Sequence, residues 1–566
     1  MNTAFHDEMA AGYALSQPGL VLGGPMLDDA VLSDVKVQVA TSMISRHGLI
    51  AGATGTGKTT TLKVMAAELS EAGVPVFISD IKGDVTGIAA PNDPTNPNVV
   101  SRVNDLQLTF VPAGHPVEFL SLSGQLGAEV RATVHSFGPM LLGKVLELND
   151  TQTSILSMIF KYCDDTQLPL LDLKDLQAVL KYLASDDAKS VLADYGGMSP
   201  ASVGVLLRSI IMLEQSGADV FFGEPEFDVN DLLRTTPDGK GVVSVLELSD
   251  VMDRPKLFST FMLWMLAQLY HALHEVGDLP QPKLAFFFDE AHLLFDEASQ
   301  ALLDQIEQTV RLIRSKGVGV YFSTQAPTDI PPAILAQLGN RIEHALRAFT
   351  PQDADNLKKT ARTYPTSAYY DVEKVITSLG IGEALVTVLS PKGVPTPLAA
   401  TRLVPPDCLF GALDPVRFQG LVASGSLRPK YGTTVDRQSA YEMITARIQA
   451  AQAAAAQAAA PAPGVPGGAP SWAPGAGGGA PMATPGQVTM TQAEYNRQVR
   501  DQERAAAAAQ KAADQAQRAQ QRAQAQAAAA QKREETQILR TGTRLVTSSV
   551  GQSLIRGVFG TLFGKH

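Results

Sequence analysis

Eight residues, Gly52-Ala53-Thr54-Gly55-Thr56-Gly57-Lys58-Thr59, complete the pattern G-x-x-x-x-G-K-T, and no other segment constrains this chain as much. A short apolar run, His47-Gly48-Leu49-Ile50-Ala51, precedes them and reads as a strand, while Thr60–Leu69 reads as a helix. Strand, glycine-rich turn and helix in that order make a cradle for a polyphosphate. The glycines let backbone N–H groups turn inward, and the helix N-terminus adds partial positive charge. The expected nucleotide-binding set is Gly52, Ala53, Thr54, Gly55, Thr56, Gly57, Lys58, Thr59 and Thr60, with ATP and Mg²⁺ as the ligands. Lys58 is expected to reach the β- and γ-phosphates, and the Thr59 hydroxyl to bind Mg²⁺.

A cradle of this kind needs a sheet to stand on. Strand-like runs are Gly48–Ala51, Val76–Ser79, Leu106–Phe110, Gly241–Leu246, Leu284–Phe288, Val318–Ser323 and Arg341–Leu346. Most are short, continuous and apolar, as strands buried on both faces are. Helix-like segments separate several of them, among them Thr59–Ala72, Arg254–Glu275 and Ser299–Lys316. The alternation predicts an α/β fold with a mostly parallel sheet and helices on both faces.

The second chemical signal is Leu284-Ala285-Phe286-Phe287-Phe288-Asp289-Glu290, an apolar run that ends in two acids. A buried strand of this kind delivers carboxylates to the C-terminal edge of the sheet, where open α/β sheets bind ligands. Asp289 is the expected holder of Mg²⁺, and Glu290 the residue that orients and polarises the attacking water. Asp289-Glu290-Ala291-His292 also spells the box of one helicase class. About 230 residues separate Lys58 from Asp289, far more than that class places there, so His292 is expected to face a neighbouring helix.

Three further positions are candidates. Gln325 follows the run Val318–Ser323 and could sense the γ-phosphate or the lytic water, the alternative being a plain polar strand end. Asp80 ends the strand after the loop helix and is a candidate second acid near the metal, with Gly83 and Asp84 read as turn chemistry. Arg314, at the end of the helix before the Gln325 strand, is the candidate arginine for a neighbour's γ-phosphate; Arg341 and Arg347 are its rivals.

Composition bounds what surrounds this machinery. The 566 residues are 45% hydrophobic and 18% charged, enough for a substantial core. The only two cysteines, Cys163 and Cys408, lie far apart in no metal-like spacing, which argues against a disulfide scaffold and for a cytoplasmic setting. Residues 1–17 carry no secretory signal, and no apolar run is long enough to span a bilayer; Phe261–Leu273 reads as a buried helix. The net charge of −11 weighs against a protein that coats nucleic acid, but not against a local basic channel.

The expected organisation is an N-terminal arm (1–17), two halves of a core (18–116 and 241–405) around a mainly helical insertion (117–240), and a helical extension (406–449). The second half is expected to hold a helix starting near Pro351 and a hairpin of Ala384–Leu389 and Thr396–Leu403 across Pro391-Lys392-Gly393. An Ala/Pro/Gly linker (450–486) follows, then a helical tail (487–566). The tail ends in Ile555, Val558, Phe559, Leu562 and Phe563 at helix-like spacing, suited to docking on the chain itself, a partner or a membrane surface.

The segments His47–Thr61, Val74–Gly87, Phe286–His292 and Val318–Pro327 resemble the HerA/FtsK superfamily of P-loop ATPases, in particular its bacterial HerA-like branch with a domain of unknown function. The resemblance covers most of Pro18 to about Pro405, and Arg556-Gly557-Val558-Phe559-Gly560 also looks familiar for that branch. It implies a RecA-like core, a catalytic glutamate at Glu290, a sensor glutamine at Gln325, a trans-acting arginine at Arg314 and a second-strand acid at Asp80. It also implies a homo-oligomer, often a hexameric ring, and relatives that pump DNA. A nucleotide-gated scaffold that binds protein partners through the tail is the competing reading, and a motor acting on polypeptide a third.

Overall fold

The apolar runs that flank the phosphate loop form the buried middle of one 13-stranded sheet in a computed structural model that describes residues 2–458, except 186–187, 189–191, 193–194 and 296–297. The linker and tail expectations beyond residue 458, with the terminal Arg556–Gly560 segment, lie outside the described residues.

Eight strands run in parallel: β4 (Gly48–Ala51), β5 (Val76–Asp80), β6 (Val117–Ser121), β7 (Ala128–Glu129), β8 (Val243–Glu247), β9 (Leu284–Phe288), β10 (Val318–Thr324) and β11 (Asn340–His344). Their order across the sheet is β11-β4-β10-β9-β5-β8-β6-β7. Beyond β11 the sheet turns antiparallel through β12 (Glu383–Thr387), β13 (Ala399–Leu403) and β1 (Gly19–Leu27), with β2 (Ala30–Val31) and β3 (Val37–Ala40) paired to β1. The fold is α/β with a mostly parallel sheet, as the alternation of runs predicts, and it agrees with the RecA-like P-loop core that the resemblance implies. The hairpin read from the sequence is the β12–β13 pair, and Gly393 in its connection takes a left-handed φ of 74°.

Side chains alternate across each strand, and the sheet is covered on both faces. Ala285 and Phe287 of β9, Tyr321 of β10 and Ile50 of β4 pack on the side of Leu62, Met65, Ala66 and Leu69 from helix Lys58–Glu71. Phe286 and Phe288, with Phe322 and Leu49, pack on the opposite side with helices Pro255–Ala272 and Gln300–Ile313. Trp264, fully buried on this side, donates its indole N–H to the Ser136 hydroxyl at 3.0 Å. Burial of such apolar area, worth about 25 cal/mol per Å², is the main force holding the sheet between its helices. No helix among the described residues is long and apolar enough to cross a membrane, and Phe261–Leu273 lies within and just beyond the buried helix Pro255–Ala272.

One expectation fails for an identifiable reason, and it shifts the start of another. Leu106–Phe110 is not a strand, because Asn96 caps a helix at Pro97–Leu106 that consumes its first residue, and Gln107 ends that helix at φ 49°. Pro112, Gly114 and Pro116 keep the following stretch irregular, and the strand forms later, at β6, beside β8. The span 117–240, read as mainly helical, accordingly opens with β6 and β7. Its helices follow: Val134–Val145, Asp150–Asp165, Leu173–Leu183 and Pro200–Gln215.

Lys63 in the loop helix is fully buried, and its ammonium donates to the carbonyls of Asp84 (2.7 Å), Leu409 (3.1 Å), Phe410 (2.7 Å) and Gly411 (3.2 Å). Burial pulls its pKa down, yet the four oxygens replace its hydration shell. The ammonium thus pins the segment after β13 and the turn after β5 to one helix. Lys63→Met should cost about 3 kcal/mol of unfolding free energy, since it strips a charged donor from buried carbonyls; denaturant unfolding of the two proteins measures it.

Candidate active site

Parallel pairing brings four strand ends to within two residues of one level. Ala51 of β4 lies beside Thr324 of β10, and Phe288 of β9 lies beside both Phe322 of β10 and Ser79 of β5. The phosphate loop, Gln325, the Asp289–Glu290 pair and Asp80 therefore emerge along one edge of the sheet.

The loop is held from three sides. The Gly52 N–H donates to Thr324 O at 3.2 Å, and the Ala53 N–H to Ala345 O at 2.8 Å. The Thr56 carbonyl accepts from the Gly382 N–H at 2.9 Å and from Nδ1 of His344 at 3.1 Å. That second bond requires the Nδ1–H tautomer, so Nε2, 3.0 Å from the Thr61 hydroxyl, accepts there. Gly52 is irreplaceable on two counts. Its φ is 149°, and a Cβ would stand 2.5 Å from the Cβ of His344. Gly57 caps the helix at φ 111°, and no side chain caps its N-terminus. The first N–H groups of that helix, at Lys58, Thr59 and Thr60, have no partner within it and are available to an anion. Thr54 and Gly55 are exposed, and Thr59 and Thr60 half-buried. The Lys58 ammonium donates to Gly52 O (2.7 Å) and Ala53 O (3.2 Å); burial lowers its pKa against the opposing pull of Glu290 and Asp289.

Facing the loop is a buried acidic cluster. Asp289 accepts from the Ser323 hydroxyl at 2.9 Å through Oδ1, while its buried Oδ2 has no hydrogen-bond partner. Burial pushes its pKa up to about 7, against the Ser323 hydrogen bond and aided by the charges of Glu290 and Asp80. Oxygens of Asp80, Asp84 and Asp289 lie within 4.8 Å of one another. Asp80 is fully buried at the end of β5, level with Glu247 of β8; burial raises both carboxyls, with the charge of Asp84 adding to it at Asp80 and that of Asp80 at Glu247. The cluster suits a divalent cation, since orphaned buried carboxylate oxygens are what a hard cation satisfies.

Glu290 differs from its neighbours. It is 4% exposed and takes φ 46°, a left-handed state that residues with a Cβ seldom adopt. Burial opposes its ionisation, but His292 and Lys82 outweigh it, with help from Lys58, and hold the carboxyl down at about 2. His292 Nδ1 stands 3.2 Å from Glu290 Oε2, so His292 faces the chemistry rather than a neighbouring helix as expected. The positive φ at Glu290 turns the chain back at once, and no helical pattern read from the sequence registers such a turn.

Gln325 is exposed, beside a cleft of about 660 Å³ that Ala53, Thr54, His292, Arg347 and Phe349 also line. Arg314 is not brought to this edge. It precedes β10, whose seven residues span roughly 20 Å, and its guanidinium lies 3.5 Å from Asp278 near the strand's amino end. Arg341 and Arg347 bond to Thr363 (2.9 Å) and the Thr377 carbonyl (2.6 Å).

The family model for the C-terminal region of HerA-like helicases matches residues 27–474. The chain belongs to the HerA-like family of P-loop ATPases. One relative, the DNA double-strand break repair helicase HerA of Sulfurisphaera tokodaii, is 25% identical over 363 residues, which are 62% of this chain and 64% of that protein. This HerA-like chain therefore matches less than two thirds of that relative's length. Among solved structures, the unbound bacterial conjugative coupling protein TrwB is 14% identical at a TM-score of 0.44, over 71% of this chain and 94% of that one. VirB4 of Thermoanaerobacter pseudethanolicus is likewise 14% identical, at a TM-score of 0.39 over 69% and 98%.

Lys82, His292, His344 and Glu343 were not legible as site residues. Glu343 is fully buried beside the loop, bonded to the Tyr364 hydroxyl at 2.9 Å and pushed up to about 8 by burial. The pair Glu343-His344 ending a strand beside β4 is the only sequence signal for them. Burial lowers the His344 pKa to about 3, with the Lys58 charge adding to it. An unfolded histidine titrates near 6.5. The stabilisation from neutral His344 is thus complete above pH 6.5 and drains as pH falls toward 3. In His344→Asn, the fall of unfolding free energy from pH 6 through 5 to 4 should be shallower than in wild type by up to about 1.4 kcal/mol per pH unit. An unchanged slope would show that His344 is not held neutral.

Proposed function

We propose that this chain hydrolyses ATP with Mg²⁺ at the edge formed by the phosphate loop and β9, and that it does so in a homo-oligomeric ring, a hexamer by resemblance, that moves DNA. The carrying observation is convergence: the register of β4, β10 and β9 brings the Lys58 loop and the Asp289–Glu290 pair to one edge of the sheet, where the two carboxylates act on the Lys58 charge.

In this reading the open N–H groups of Lys58, Thr59 and Thr60 receive the phosphates, and Lys58 moves from the Gly52 and Ala53 carbonyls to the β- and γ-phosphate oxygens. Thr59 and Asp289, with Asp80 near, would hold Mg²⁺, which supplies charge neutralisation to the transferred phosphoryl group. Ionised Glu290 accepts a hydrogen from the attacking water and aligns it, while Gln325, exposed beside Ala53 and Thr54, senses the γ-phosphate from the other side. Burial of Asp289 without a partner for Oδ2 supports the metal role.

The ring is supported by where Arg314 lies. Some 20 Å of strand separate it from its own loop, so its guanidinium, 39% exposed, is out of reach of its own nucleotide and open to a neighbour's. DNA is supported by the name of the HerA relative and has to be reconciled with a net charge of −11, which calls for a local basic surface.

Two measurements test this. Lys58→Ala should abolish nucleotide binding or turnover, and Glu290→Gln should bind ATP as wild type does yet turn over at least about 100-fold more slowly. Wild-type turnover by Glu290→Gln would remove Glu290 from the mechanism. For the ring, Arg314→Ala and Glu290→Gln should each be inactive alone but regain turnover on mixing, because one protomer lends the arginine that another lacks. Mixtures as inactive as their parts would exclude Arg314 as the trans residue.

A further inference from the structure

The turn after β5 points a side chain at Glu290 that no sequence motif assigns. Asp80 organises that turn: Oδ1 accepts the N–H groups of Lys82 (3.1 Å) and Gly83 (2.8 Å), and Oδ2 accepts that of Val85 (2.8 Å). Lys63 pins the turn again through the Asp84 carbonyl at 2.7 Å. With its backbone fixed at both points, Lys82 extends to Glu290, and its ammonium donates to Oε1. His292 stands at the other carboxylate oxygen, Oε2.

We propose that Lys82 is a positioning residue for Glu290, setting the orientation of its carboxylate without binding the nucleotide. Two observations carry this. The Glu290 side chain is 5% exposed and departs from a left-handed backbone, so its direction is fixed by what it touches. It also neighbours Asp80, Asp84 and Asp289, whose oxygens crowd within 4.8 Å, and a carboxylate there needs a counter-charge to hold one orientation. Lys82 supplies that charge from outside the cluster. Asp80 contributes here as well, beyond its place in the acidic cluster: both its oxygens accept backbone N–H groups and shape the turn that aims the ammonium.

This inference rests on Glu290 acting on the lytic water, so its test keeps the two claims apart. Steady-state turnover against ATP is measured for the full chain as wild type, Lys82→Met, Lys82→Arg, Glu290→Gln and the Lys82→Met/Glu290→Gln double variant. Lys82→Met should lower kcat about 10- to 100-fold while KM and the affinity for a non-hydrolysable analogue stay within about twofold. Retained analogue affinity also shows that the variant is folded. Lys82→Arg should recover most of the lost kcat, and the double variant should be no slower than Glu290→Gln alone. A Lys82→Met variant with unchanged kcat, one with analogue affinity weakened as much as turnover, or one whose loss adds fully to that of Glu290→Gln would overturn the positioning role. Full turnover by Glu290→Gln alone would instead overturn the assignment of Glu290.

Discussion

The site depends on the parallel ladder β4–β10–β9–β5. Hydrogen bonding in register sets Ala51 beside Thr324, and Phe288 beside Phe322 and Ser79, within two residues of one height, so everything that follows these residues leaves the sheet on one rim. A slip of one residue in any strand would move the acid pair or the loop by more than 3 Å and turn each side chain to the opposite face. The stacked rings of Phe77 on Phe286, 4.2 Å apart, and of Phe288 on Phe322, 5.1 Å apart, oppose such slippage. The apolar strand interiors are therefore part of the chemistry, because they fix where the carboxylates stand.

Electrostatics divides the rim in two. Asp80, Asp289 and Glu247 are buried among one another and resist ionisation. Glu290, one residue beyond Asp289, is strongly ionised because Lys82, His292 and Lys58 surround it. Adjacent carboxyls with opposite tendencies are what a site needs when one must meet a cation and the other must accept a hydrogen from water. The left-handed turn at Glu290 produces the split by directing the two side chains into different surroundings.

Much of this was legible in the sequence where a pattern carries its own physics. The glycines and lysine of the loop state a phosphate cradle, and a run such as Leu284–Phe288 reads as a strand buried on both faces. What the sequence concealed depends on contacts between distant residues. His344 lies 283 residues from the Thr61 hydroxyl it meets, and Lys82 lies 208 residues from Glu290. His292 was misread because the long gap between Lys58 and Asp289 spoke against the helicase box, whereas what brings its ring to Glu290 is local, beside a backbone that turns at positive φ. The false strand at Leu106–Phe110 has a similar origin: its alternation was real, but the Asn96-Pro97 helix start was the stronger local signal.

The central claim is that one nucleotide touches Lys58 and the Asp289–Glu290 pair together. A structure of the chain with a non-hydrolysable ATP analogue and Mg²⁺ measures this directly. The account predicts a triphosphate along the Gly52–Thr60 backbone, with the Lys58 amine on its terminal phosphates, the Asp289 carboxylate on the metal side and Glu290 facing the γ-phosphate. A nucleotide seated elsewhere, such as the cleft beside Phe349, with Asp289 and Glu290 out of reach of its phosphates, would contradict it.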